Sequence, residues 1–174
     1  MNISLKLAHT HQGERILMKK KILFQILLSL LIPAMCLAAG SVNQDIQWSS
    51  DGSKAFVTIT WTGDADDGTV PETDLNSLIL SGTTGFFLYM AETVPGDTAP
   101  TADYDIALST PDGFDIMGGA LGDRSASAVE RVKPLSGSDI FYPLLDGRTL
   151  TLAITNNSVN SATGTIRLYL AKSL

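Results

Sequence analysis

The sequence predicts an all-β protein: an antiparallel β-sandwich, jelly-roll-like, of about seven or eight strands, following an N-terminal signal peptide. Three observations predict it. The segments AFVTITW (55–61) and TIRLYLA (165–171) alternate apolar and polar residues, the period of two that sends every other side chain to one face of a strand. Short apolar runs recur between clusters of Gly, Pro, Thr and Asp, and of the 15 glycines and 7 prolines only Gly13 and Pro33 precede Gly40. No segment after residue 39 carries the apolar repeat of an amphipathic helix over a convincing length.

From Met18 the chain reads MKKKILFQILLSLLIPAMCLAAG: three lysines, an apolar run broken by Pro33, then the small residues Ala38, Ala39 and Gly40. These are the charge, apolar stretch and small-residue exit of a secretory signal peptide, so 18–39 is expected to be removed and the mature chain to begin near Gly40. An uncleaved anchor is the alternative, because Ile22 to Ala39 reaches the lower end of spanning length, about 17–25 residues. Pro33 and the small residues after it suit a peptidase better. Cys36 is not expected to carry lipid, since Pro33-Ala34-Met35 lacks the aliphatic and small residues of an attachment box. Residues 1–17 read as a gene-model extension, with translation starting at Met18 behind a purine-rich message for Gln12-Gly13-Glu14, and a genuine disordered extension of the signal is the alternative.

Loss of that leader changes the chemistry. His9, His11 and Cys36 go with it, so 40–174 holds no histidine and no cysteine. A Ser-His-Asp triad, a Cys nucleophile, an imidazole base, a zinc site of the usual type and any disulfide are excluded there. Lys6, Arg15, Lys19, Lys20, Lys21 and Glu14 also precede Gly40; without them the 12 Lys and Arg and 18 Asp and Glu become seven and seventeen, a net charge of −10. Such a surface repels nucleic acid and anionic lipid, so neither nucleic acid nor, after cleavage, a membrane is an expected partner.

Along the remaining single domain, 40–174, AFVTITW is the first strong strand, followed by the loop GDADDGTVPETD. GFFLYMAE is apolar on both faces, as a central or doubly covered strand would be. Val129 to Val132 forms a further strand after a Gly-, Ala- and Ser-rich segment. In TLTLAIT and TIRLYLA, Leu150, Leu152 and Ile154, then Ile166, Leu168 and Leu170, each mark one face, and NNSVNSATG between them reads as the loop of a hairpin.

DYDIALSTPDGFDIMGG (103–119) sets four aspartates around a Pro-Asp-Gly turn. A three-residue loop with Pro111 at its first corner and Gly113 left-handed pairs Thr110 with Phe114, Leu108 with Ile116 and Ile106 with Gly118. This register keeps the apolar faces together and puts Asp105 and Asp115 on the wet face. Their carboxylates then lie well over ~10 Å apart, beyond the roughly 5–9.5 Å of a glycosidase pair. No catalytic or cofactor-binding residue is expected, and the protein reads as a non-enzyme.

Asp64, Asp66 and Asp67 form the better cation candidate, three carboxylates within four residues of loop that could converge on calcium. They lack the aspartate spacing and bidentate glutamate of an EF-hand, and ordinary solvation is the simpler reading. GGALGDR lacks the Gly-Lys-Ser/Thr of a phosphate cradle, and Asn156-Asn157-Ser158 reads as a turn despite matching a glycosylation acceptor. Among Trp48, Trp61, Tyr89, Tyr104, Tyr142 and Tyr169 a carbohydrate-stacking platform is conceivable, though such residues more often serve the core. Phe87 and Tyr89 would spend two aromatics on one face of GFFLYMAE, so that face is expected to be covered by the loop from Gly118 to Ala128 or by a second subunit, making a homo-oligomer.

TVPGDTAPTADYDIAL, PDGFDIMGGALGDR and LTLAITNNSVNSATG together resemble short, uncharacterised β-rich proteins encoded among the structural genes of tailed phages and prophages. The resemblance covers roughly 86–170 and implies a structural or accessory role of virion type. A signal peptide departs from that group, and an exported, domesticated relative reconciles the two. The expected function is thus that of an exported, non-enzymatic structural or binding protein. A carbohydrate- or surface-binding accessory module is the alternative, and a hydrolase using only carboxylates the third.

Overall fold

The computed structural model describes residues Ala39–Leu174, which form one compact unit. The signal peptide, its alternative as an anchor, Cys36 and the extension 1–17 lie outside the described residues. The protein is all-β, built from antiparallel sheets. Strands β1 (Ser41–Trp48), β2 (Lys54–Thr62), β4 (Phe87–Pro95), β6 (Glu130–Val132) and β10 (Thr163–Ala171) make a five-stranded sheet in the order β1-β2-β10-β4-β6. Facing it, β3 (Thr73–Asp74), β5 (Asp105–Ser109) and β9 (Thr151–Thr155) make a second sheet in the order β3-β9-β5. A small ribbon pairs β7 (Leu135–Ser136) with β8 (Asp139–Ile140).

Alternation in the sequence becomes two faces. Val57, Ile59 and Trp61 on β2 and Ile166, Leu168 and Leu170 on β10 are buried in one core with Ile106 and Leu108 on β5 and Leu152 and Ile154 on β9. Each such side chain contributes about 1.5–3 kcal/mol by leaving water. Trp61 lies against Tyr104 at 5.7 Å between ring centres. Across the sheet it pairs with Gly164, where an added Cβ would come within 2.6 Å of the indole. Only glycine leaves the ring that space.

One short helix, α1 (Ser77–Gly82), closes one side of the core with Ile79 and Leu80. The Asn76 side chain caps it by accepting the Leu78 N–H at 2.9 Å, and Gln44 of β1 accepts the Asn76 N–H at 2.8 Å. The helix and the polar-rich strand β1 have signals too short or too mixed for the periodicity to show.

Three expectations are corrected. TLTLAIT and TIRLYLA are not a hairpin: β9 pairs with β3 and β5, while β10 lies in the other sheet between β2 and β4. NNSVNSATG is therefore a crossover between layers, anchored by Asn157, which donates to Gly68 O at 2.7 Å and accepts the Thr101 N–H at 3.0 Å. The aspartate hairpin is right at its tip and wrong beyond it. Thr110 N–H bonds Phe114 O at 2.9 Å, Ile116 N–H bonds Leu108 O at 2.9 Å, Ser109 faces Asp115, and Gly113 has φ +81°. Past Ile116 the second arm turns inward, and Ile106 bonds Leu121 O instead of pairing with Gly118.

The third correction concerns the wet face. Asp115 is half-buried and its carboxylate accepts the N–H groups of Leu108, Met117 and Gly119 at 3.3, 3.0 and 2.7 Å. Asp105 accepts the Asp123 N–H at 2.8 Å and an amide hydrogen from Asn156. Both aspartates are structural acceptors, and Asp115 keeps the N–H groups of buried Leu108 and Met117 paired.

Candidate functional site

Three of the exposed large apolar side chains gather at one place. Phe114 (55 % exposed), Phe141 (40 %) and Leu144 (55 %) open onto a cleft of about 300 Å³ whose floor includes Leu80 of α1, Ile116 and Leu150. That volume is at the lower end of the range for small-molecule sites. Its walls are held by backbone. The segment 143–145 runs beside the start of β4: Gly85 N–H bonds Leu145 O at 2.7 Å, Leu145 N–H bonds Phe86 O at 2.8 Å and Leu88 N–H bonds Pro143 O at 3.0 Å. Strand-like alternation there buries Pro143 and sends Leu144 outward. The tight turn at Thr110 to Gly113 presents Phe114 on the opposite wall.

Asp146 and Arg148 are the cleft's charged groups, Arg148 the cationic one. Its Nε donates to Asp146 at 2.6 Å and its Nη1 lies 3.5 Å from Asp112. The Arg148 backbone N–H, then its guanidinium, holds the Asp146 carboxyl below the usual carboxylate range. A general acid must stay protonated near neutral pH, which such an environment opposes.

The residues singled out from sequence lie elsewhere. Asp64 accepts the Asp66 N–H at 2.7 Å and Asp67 accepts the Thr69 N–H at 2.9 Å. The Thr69 backbone N–H, then its hydroxyl, pulls the Asp67 carboxyl below its ordinary value. Among the described residues no three His, Cys, Asp or Glu side chains gather as a metal-holding group. Phe87 and Tyr89 are half-buried, and Tyr89 packs against Tyr169 at 6.1 Å, which in turn meets Phe56 at 5.5 Å on the outer face of the five-stranded sheet. The loop from Gly118 is used along the free edge of β5, where Arg124 N–H bonds Tyr104 O at 2.7 Å. Trp61 and Tyr104 are buried, whereas Trp48 is 45 % exposed with its edge on Phe86 at 5.6 Å.

Sequence reasoning passed over the cleft. The signal was available in FYPLL (141–145), an apolar run between two turn-rich clusters that no expected strand used.

No family model matches the chain, and no curated protein or solved structure does either. Among the described residues no helix is long and apolar enough to cross a membrane.

Proposed function

We propose that this is an exported, non-enzymatic β-sandwich protein that works by contact, with the cleft between Phe114, Phe141 and Leu144 as its binding surface. One observation carries the reading: three of the exposed large apolar side chains, Phe114, Phe141 and Leu144, gather around a single cleft. Export rests on the leader of 18–39, and the structural, phage-like role on the likeness of 86–170. The carboxylates at the cleft are tied to Arg148, which speaks against a hydrolase. The apolar dye anilinonaphthalene sulfonate tests the surface. The native protein is expected to bind it, and Phe141→Ser to lose most of that binding with an unchanged unfolding midpoint. Equal dye binding by the variant would refute the reading.

A carbohydrate ligand is the second reading, favoured by the polar rim of Asp146 and Arg148, with Asp112 3.5 Å from Arg148, beside two aromatic rings. Affinity electrophoresis against a panel of polysaccharides distinguishes it, because retardation should depend on Phe114 and Phe141 together.

A further inference from the structure

Among the described residues β1 pairs with β2 alone, so its other side is an edge of the five-stranded sheet. Ser49 N–H donates to Lys54 O at 3.0 Å, continuing the register that sets Ser41 opposite Thr62 and Trp48 opposite Ala55. In an antiparallel ladder the backbone groups of successive residues point to alternate sides. Ser41, Asn43, Asp45 and Gln47 therefore bond to β2, while Val42, Gln44, Ile46 and Trp48 turn their N–H and C=O outward. Gly63 N–H bonding Ala162 O at 2.8 Å fixes the same phase from the far side of β2. Among the described residues no hydrogen bond reaches those outward groups.

Sheet edges are ordinarily blunted by Lys, Pro, a bulge or a very short strand. Eight-residue β1 has none of these, and its one charge is Asp45. Its side chains are sorted by face: Val42 and Ile46 pack on the core, Gln44 is tied to Asp74 and Asn76, and Asn43, Asp45 and Gln47 point to solvent.

A second copy overlaps this edge most fully in antiparallel registers centred near the middle of the strand, on Gln44 or on Asp45. Interior must continue into interior, so even-numbered residues must oppose even-numbered ones. Pairing centred on Asp45 sets two like-charged residues directly opposite, their Cα atoms about 4.5 Å apart, and Gln44 against Ile46, a mismatch on both faces. Pairing centred on Gln44 sets Val42 against Ile46 of the second copy on the inner face. On the outer face it sets Asn43 against Asp45, Ser41 against Gln47, and it leaves Trp48 over Gly40. The outward groups of Val42, Gln44 and Ile46 then close about six backbone hydrogen bonds.

We propose that the protein pairs with a second copy of itself through β1, about a two-fold axis at Gln44, joining two five-stranded sheets into one. This places self-association at the sheet edge rather than on the face of Phe87 and Tyr89, and it does not depend on the cleft.

Sedimentation equilibrium of the purified protein across a wide concentration range tests it. A dimer is expected. Val42→Pro should dissociate it, because this N–H points away from β2 and proline is tolerated there. Asn43→Asp should weaken it about tenfold by facing Asp45 of the second copy, and adding Asp45→Asn should restore the original affinity. A strict monomer, or a dimer indifferent to both Val42→Pro and Asn43→Asp, overturns the proposal. If Val42→Pro does not fold, the Asn43 and Asp45 pair decides alone. A large tightening by Asp45→Asn with Asn43→Asp silent would overturn the Gln44 register.

Discussion

Glu92 on β4 and Asp115 in the turn after β5 are both drawn out of water, and they are neutralised in opposite ways. Glu92 is 2 % exposed although it lies on the outer face of its sheet, because two arginines cover it. Arg167 on β10 reaches Oε1 and Arg131 on β6 reaches Oε2, each at 2.6 Å, from positions 75 and 39 residues away. Both stand directly across from Glu92 in the ladder. Asp115 instead collects backbone N–H groups from within seven residues. The first arrangement exists only once three strands are in register; the second is made within its own turn. One therefore reports on the sheet and the other on local chain geometry.

The largest effect comes from adding a carboxylate where no donor waits. Ile116 is buried beside Asp115, and Ile116→Asp should lose roughly the 2–5 kcal/mol of a large core side chain and add the burial of a charge. Urea midpoints will show this as the steepest loss of the set. If Ile116→Asp were as stable as the parent, the turn beyond Phe114 would have to lie outside the core.

Glu92→Gln comes next, at about 1.5–3 kcal/mol, because it weakens two hydrogen bonds to charged groups. Burial by itself would raise the Glu92 carboxyl, but hydrogen bonds and charge from Arg167 and Arg131 outweigh it and hold it below its ordinary value of 4.5. With the folded pKa depressed, the folded state binds fewer protons than the unfolded one. The carboxylate's stabilisation is thus complete above pH 4.5 and is lost as pH falls through the folded value. The stability difference between parent and Glu92→Gln should stay flat at neutral pH and shrink on acidification. A difference independent of pH would mean that packing, and not charge, is what Glu92 supplies.

Asp115→Asn should cost less, about 1 kcal/mol, since an amide oxygen can still accept Leu108 and Met117 while its nitrogen cannot accept Gly119. The sequence alone puts this aspartate on the wet face of a ribbon. Pro111, Gly113 and the Thr110–Phe114 closure are local chemistry, so the turn was legible. Extending the ribbon to Gly118 assumed that β5 pairs with its chain neighbour, whereas its partner is β9, and Leu121 takes its other edge. The same limit hid Glu92, which looked like the polar end of GFFLYMAE. A bulge between Leu88 and Met90 shifts the phase of β4 so that Leu88 and Ala91 share the inner face, and Glu92 meets its arginines. Strand existence follows from alternation along a segment. Which carboxylate is buried follows from which strands lie beside it.

The smallest single effect should be Arg131→Ala. Arg131 is 64 % exposed on the three-residue edge strand β6, and exposed ion pairs are worth about 0–1 kcal/mol. Arg167, at 46 %, sits between β2 and β4 and should matter slightly more. Each arginine alone leaves Glu92 one charged partner, so either loss is modest. Removing both leaves the Glu92 carboxylate without any counter-charge while its strand stays held between β10 and β6. The double variant should therefore lose distinctly more than the two singles together, and the excess should vanish when Glu92 is already Gln. Additive losses in that cycle, read from urea midpoints, would mean that solvent reaches Glu92 as soon as one arginine is gone, and that the sheet's register does not rest on this trio.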